Sequence, residues 1–109
     1  MSIRVELADV GAQLERFGTA AFLLTVSDDG RPHPASVTVT AADGLLVAPV
    51  GRRTGANAAA RPDVTLLWAG PLDGFALLVD GTAVLRDGSV AVTPTSAILH
   101  KLAGGGAPH

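Results

Sequence analysis

The sequence predicts a mainly β fold: a small antiparallel barrel of six to seven short strands with one or two short helices. Three observations lead there. Short apolar runs recur along the chain, several alternating with polar residues at the period of a half-buried strand. Asp-Gly pairs, a strong hairpin signal between apolar runs, occur at 29, 43, 73, 80 and 87. One alanine-rich stretch, 51–61, interrupts the strands with helical character.

The elements follow in order. Ile3, Val5 and Leu7 alternate with Arg4 and Glu6, which reads as a short opening strand. Asp9 then caps a brief helix carrying Val10, Leu14 and Phe17, ended by Gly18. Ile3, Leu7, Val10, Leu14 and Phe17 also fit one continuous helix, and the split reading is preferred. Ala20–Val26 is a buried strand closed by Ser27-Asp28-Asp29-Gly30, and Pro34–Thr40 alternates around Val37 and Val39. Leu45–Val50 follows the Asp43-Gly44 turn. After 51–61 come Val64–Trp68, a loop over 69–74, and a long strand Phe75–Leu85. Asp80-Gly81 interrupts that strand and marks a bulge or sharp bend rather than a turn. Val90, Val92, Ile98 and Leu99 predict a last strand, bent at Pro94.

The 109 residues fit one domain, assigned to 1–103, with the glycine-rich 104–109 as a flexible tail. Hydrophobic residues make up 48% and charged residues 17%, apolar enough to leave surface for a partner subunit. A net charge of −2 argues against nucleic acid as a partner. With no cysteine, neither a disulfide framework nor a thiolate metal site is available. No run approaches the roughly 20 apolar residues of a membrane-spanning helix, and the N-terminus lacks the apolar core of a signal peptide. A cytoplasmic protein is expected.

Chemistry concentrates in Gly51-Arg52-Arg53-Thr54-Gly55-Ala56-Asn57. No acid occurs between Asp43 and Asp63, and three of the seven arginines lie within 51–61. A helix start offers free N–H groups and the positive end of its dipole to an anion. Two guanidiniums beside it add planar forks of donors suited to phosphate. Arg52, Arg53, Thr54 and Asn57 are therefore the candidate phosphate grip. The bland reading is a solvated helix start with a threonine cap. Arg61 is expected to face water at the helix end, His33 to lie in a turn or at the rim of a groove, His100 to be structural, and Trp68 to be core or interface. No nucleophile–base set, phosphate-loop motif or metal cluster emerges.

With these elements in place the chain resembles the FMN-binding split-barrel superfamily, the pyridoxamine 5′-phosphate oxidase-like proteins, which include deazaflavin (F420)-dependent reductases. The resemblance rests on Leu24 to His33, on Gly51-Arg52-Arg53-Thr54 with Asn57, and on Arg61 to Leu66. Val79 to Ala83 and Pro94 to His100 complete it, in that order and spacing. It implies a split barrel, a homodimer with the cofactor in a groove between subunits, and flavin-dependent oxidoreduction of a small substrate. It further places Arg53 and Thr54 on the cofactor phosphate, Asn57 on a commonly polar helix position, and the backbone of Ser36, Val37, Thr38 and Val39 along the flavin ring. FMN is favoured over F420, because basic residues outside 52–61 are too sparse for the acidic tail of F420. Ala35 stands where true pyridoxamine phosphate oxidases carry a phosphate-binding arginine, and Thr54 replaces their lysine. The longer C-terminal part that holds their substrate is also missing. These departures point away from that particular activity.

Overall fold

The computed structural model describes residues 2–103, and the tail expected at 104–109 lies outside them. In chain order the elements are β1 (Ser2–Arg4), a single 3-10 turn (Leu7–Asp9), α1 (Val10–Phe17), β2 (Ala20–Val26), β3 (Pro32–Thr38), β4 (Thr40–Ala42) and β5 (Leu45–Pro49). Then come α2 (Arg52–Ala60), β6 (Asp63–Leu72), β7 (Phe75–Arg86) and β8 (Ser89–Lys101). All pairings are antiparallel. Seven strands lie on one path, β3-β2-β6-β7-β8-β5-β4, and the three-residue β1 adds to β8. Only Val39 separates the two edge strands β3 and β4, and it is fully buried. The sheet therefore curls until its edges meet at that residue, giving a barrel left open along the rest of the seam.

Turn chemistry sets the hairpins. Asp43, Asp73 and Asp87 have φ of 53°, 53° and 52°, and the glycine after each is also left-handed. Two successive left-handed residues make the mirror-image turn whose twist matches the flanking strands. At Asp29-Gly30 only the glycine is left-handed, φ 83°, and a wider turn closes through Ser27 N–H to the Arg31 carbonyl, 2.9 Å. Asp80-Gly81 is the expected irregularity: Asp80 pairs Ser96 while Gly81 pairs Pro94, so Thr95 is the extra residue of a bulge. A Cβ on Gly81 would lie 2.5 Å from Val92 Cγ1 and 2.6 Å from the Thr93 carbonyl oxygen, so no other residue fits there. Asp80 itself accepts the Thr65 hydroxyl at 2.6 Å and the Ser96 hydroxyl at 3.2 Å.

The period of two divides the sheet into faces. One inner row runs Ala35, Leu23, Leu66, Val79, Ala97 across five strands in register. Above and below it Trp68, Leu77, Val90 and Val92 complete the core. Trp68 is buried, as expected, and its indole N–H donates to the Gly18 carbonyl at 3.0 Å, fixing the end of α1 against β6. The outer face carries Ser36, Phe22, Leu67, Leu78, Ile98 and Arg4 in one row. Phe22 is 43% exposed there.

Some boundaries differ from the sequence reading. The opening strand ends at Arg4, and Asp9 precedes α1 without making a side-chain cap. The residues expected to form the loop 69–74 mostly extend β6 to Leu72: the regular pairing with β7 breaks after Trp68↔Leu77 and resumes at Leu72↔Phe75 beside the Asp73-Gly74 turn. The single strand expected over Pro34–Thr40 divides at Val39, where the barrel turns its corner.

Candidate functional site

α2 begins as expected, with Gly51 as N-cap and no side-chain cap bond. Its first backbone N–H groups therefore have no intrahelical partner and point away from the helix. The first helical bond runs from Gly55 N–H to the Gly51 carbonyl, 3.0 Å. The buried side of α2 is Thr54, Gly55, Asn57 and Ala58, all small enough to let it lie close on the sheet. A Cβ on Gly55 would approach Leu85 Cδ1 to 3.1 Å.

The side chains of the expected phosphate grip divide into two groups. Arg52 and Arg53 are exposed beside the helix start, and Arg53 lines a polar cavity of about 280 Å³ with Ser27, Asp28, Asp29 and Asn57. Thr54 and Asn57 turn inward, with only 4% and 6% of their surface accessible. The Thr54 hydroxyl lies 3.3 Å from His33 Nε2. Asn57 Nδ2 donates to the Thr25 hydroxyl at 3.2 Å, and that hydroxyl donates to the His33 carbonyl at 3.4 Å. Neither side chain is a threonine-type cap or a solvated polar group; both join α2 to the β2–β3 hairpin. No buried side-chain N or O among the described residues lacks a partner.

Arg61 departs from expectation. Instead of facing water it donates Nε to the Val26 carbonyl at 2.6 Å and Nη2 to Asp28 Oδ1 at 2.8 Å, with Asn57 Oδ1 at 3.5 Å. The helix end thus clamps the end of β2. His33, half-buried, is a link between elements rather than a free turn residue, and His100 is exposed with Nδ1 3.3 Å from the Ser2 hydroxyl.

The second half of the expected site lies along β3. Ser36 and Val37 line a shallow groove of about 390 Å³ with Ala20, Ala21, Phe22, Leu67, Ala69 and Gly70. Thr38, exposed, follows at the end of the strand outside that lining. From His33 to Ser36 is about 10 Å along the strand at roughly 3.3 Å per residue. One end of β3 therefore reaches the arginine corner and the other the groove. Arg53 is thus beside the free N–H groups of the helix start, whereas Arg52 is exposed outside the lining of that cavity. Guanidiniums and helix-start N–H groups are donor types suited to an anion. Phe22 and Leu67 give the groove an apolar floor suited to a flat ring.

Sequence reasoning missed three participants: His33 as a link, Arg61 as a clamp, and the acids Asp28 and Asp29 beside Arg53. The acid-free helix segment concealed them, since the β2–β3 turn brings its acids there only after folding. The Asp-Gly turn signal at 29 was visible, and pairing that hairpin against α2 would have found them. A larger cleft of about 500 Å³ lies elsewhere, between residues 4–8 and Thr95–Ile98, with Arg4 and Glu6 as its ionisable groups. Among the described residues no cluster of His, Asp and Glu is placed to hold a metal.

Two uncharacterized proteins, from Mycobacterium bovis and Mycobacterium tuberculosis, are each 34% identical to the chain, over 90% of it and 81% of their own length. The chain belongs to their family. Its fold is that of the pyridoxamine 5′-phosphate oxidase-like split barrels. A Listeria innocua protein, provisionally assigned as a pyridoxamine 5′-phosphate oxidase, superposes with TM-score 0.68 at 18% identity, covering 85% of this chain and 96% of that one. The FAD-binding protein of Mycobacterium smegmatis superposes with TM-score 0.66 at 15% identity, covering 93% and 100%. A protein described as an F420 reductase gives TM-score 0.60 at 18% identity, covering 72% and 88%. No family model matches the chain. No helix of the split barrel, among the described residues, is long and apolar enough to cross a membrane.

Proposed function

We propose that the protein is a flavin-binding oxidoreductase of the pyridoxamine 5′-phosphate oxidase-like type, holding FMN and acting on a small substrate as a homodimer. The observation that carries this reading is the arrangement along β3. An uncapped helix start with two exposed guanidiniums lies at one end and an apolar groove with Phe22 and Leu67 at the other. That separation suits the ribityl chain joining a flavin ring to its phosphate. Arg52, Arg53 and the N–H groups of the first turn of α2 hold the phosphate. Ser36, Val37 and Thr38 offer backbone to the ring edge. When bound, the flavin supplies hydride transfer, and the protein supplies binding, orientation and exclusion of water. A second copy covers the outer row of Phe22, Leu67, Leu78 and Ile98, closing a groove that one chain leaves open. Thr54 and Asn57 belong to the grip through their placement of the helix.

The F420 reductase likeness supports a second reading, a deazaflavin cofactor in the same groove. FMN is preferred because Asp28 and Asp29 line the cavity beside Arg53 and disfavour a tail with further negative charges. A carrier that binds flavin without turnover is the third reading, consistent with the absence of an acid–base pair in the groove lining.

The visible spectrum of the purified protein, with mass spectrometry of what it releases, tests the cofactor. Titration with FMN and riboflavin then tests the grip. Arg53→Ala is expected to weaken FMN about tenfold or more and to leave riboflavin unchanged, the loss of one charge-assisted phosphate contact. Failure of the wild-type protein to bind FMN, riboflavin or F420 overturns the proposal.

A further inference from the structure

We propose that His33 is the positioning residue of the arginine corner. Its imidazole Nε2 lies 3.3 Å from the hydroxyl of Thr54, in the first turn of α2. Its carbonyl accepts the Thr25 hydroxyl at 3.4 Å, which in turn accepts Asn57 Nδ2 from the second turn at 3.2 Å. One residue of β3 is thereby joined to two successive turns of the helix, once through its ring and once through its backbone. The Asn57–Thr25 bond is buried and so shielded from water, and the two bonds to His33 are partly so.

The consequence is geometric. Arg52 and Arg53 precede Thr54 directly, and Ser36 follows His33 by three residues on the same strand. His33 therefore sets the distance and rotation of the helix start relative to the strip that faces the groove. Arg61 restrains the far end of α2, but at its start the inner face offers only the small side chains of Thr54 and Gly55, with Asn57 and Ala58 one turn on. Small side chains give a helix start few interlocking apolar contacts to fix its rotation. Directional bonds to His33 and Thr25 remove that freedom. His33 touches no ligand in this account. It acts through Thr54, and Thr54 acts by placing Arg53 and the free N–H groups.

The ligand part rests on the flavin reading above, whereas the geometric part does not. The test is a double-mutant cycle of His33→Ala and Thr54→Val, read on the affinities of FMN and riboflavin. Each single variant is expected to weaken FMN about five- to tenfold, the loss of one hydrogen bond, with riboflavin changed less than about twofold. The double variant is expected to be no weaker than either single one, since both remove the same link. His33→Gln, which keeps a polar group on a side chain of similar reach, is expected to recover most of the affinity. Additive losses, or a loss in Thr54→Val with none in His33→Ala, overturn the inference and make Thr54 a ligand in its own right.

Amide hydrogen exchange of Gly55, whose N–H closes the first turn of α2, supplies a readout independent of any flavin. Exchange is expected to quicken in Thr54→Val and in His33→Ala, while the Arg61 amide at the far end stays protected. Thr54→Val keeps nearly the shape of threonine and carries this test if His33→Ala fails to fold. Unchanged exchange at Gly55 overturns the inference. Should the wild-type protein bind neither flavin yet show these exchange changes, the cofactor reading fails and the positioning role stands.

Discussion

Asn57 Nδ2 donates to Thr25 Oγ1 at 3.2 Å, a bond between two side chains with 6% and 1% of their surface accessible. It joins the middle of α2 to the inner face of β2. Asn57→Ala leaves the Thr25 hydroxyl without this donor and removes an acceptor from Arg61. The expected loss is about 1–3 kcal/mol of unfolding free energy, the cost of an unsatisfied buried polar group, measured by urea denaturation.

Gly81 has no room for a side chain. Gly81→Ala drives a carbon into Val92 and the Thr93 carbonyl, and the expected destabilisation is about 2–3 kcal/mol or more, seen as a lowered Tm. Gly51→Ala is the control: its added carbon meets nothing within 4 Å. At that N-cap the change is expected to stay within about 1 kcal/mol. Equal effects at the two positions would contradict the bulge geometry.

Asp29 shares a cavity with Arg53 and works against any anion placed there. Its Oδ1 accepts the Arg31 backbone N–H at 3.1 Å, a bond that asparagine preserves. Asp29→Asn is therefore expected to fold normally and to bind FMN about two- to threefold more tightly, the screened effect of one exposed charge within a Debye length. The gain should shrink with added salt and be absent for riboflavin.

Phe22 stands 43% exposed on the outer face, between Ser36 and the apolar run Leu67, Leu78 and Ile98. Phe22→Asp is expected to lower the proposed dimer affinity by about tenfold or more, since burying an unpaired charge at an interface is costly. Sedimentation at several protein concentrations checks it. An unchanged assembly state would remove this face from the proposed interface.

Much of the barrel was legible because its signals are local. Short apolar runs located the core strands, β2 with both of its boundaries, and paired positive-φ turns followed from Asp-Gly at 43, 73 and 87. Asp80-Gly81 was legible as a bulge or sharp bend because it interrupts the long run Phe75–Leu85, whereas the other four Asp-Gly pairs fall at expected turns. The division at Val39 was not, since a corner leaves no mark when the residue keeps a buried β-branched side chain. The helix start was located, but not the directions of its side chains. Thr54 and Asn57 turn inward because Thr25 and His33, about thirty and twenty residues earlier, offer partners there. Arg61 was misjudged for the same reason: its acceptors on Val26 and Asp28 become neighbours only when the β2–β3 hairpin packs against α2.

The β7–β8 ribbon bears on how the chain reaches this state. These strands pair from Phe75↔Lys101 to Arg86↔Ser89 around a two-residue turn, so their zippering closes almost no loop. β6 joins through an equally short connection, whereas β2 must find β6 across the whole of 27–62. The C-terminal three-stranded meander is therefore the natural nucleus, and docking of the β2–β3 hairpin with α2 is the later event. The contacts that seat the start of α2 on the β2–β3 hairpin form only in that late step, so the flavin binding proposed above would be the last property the chain acquires on folding.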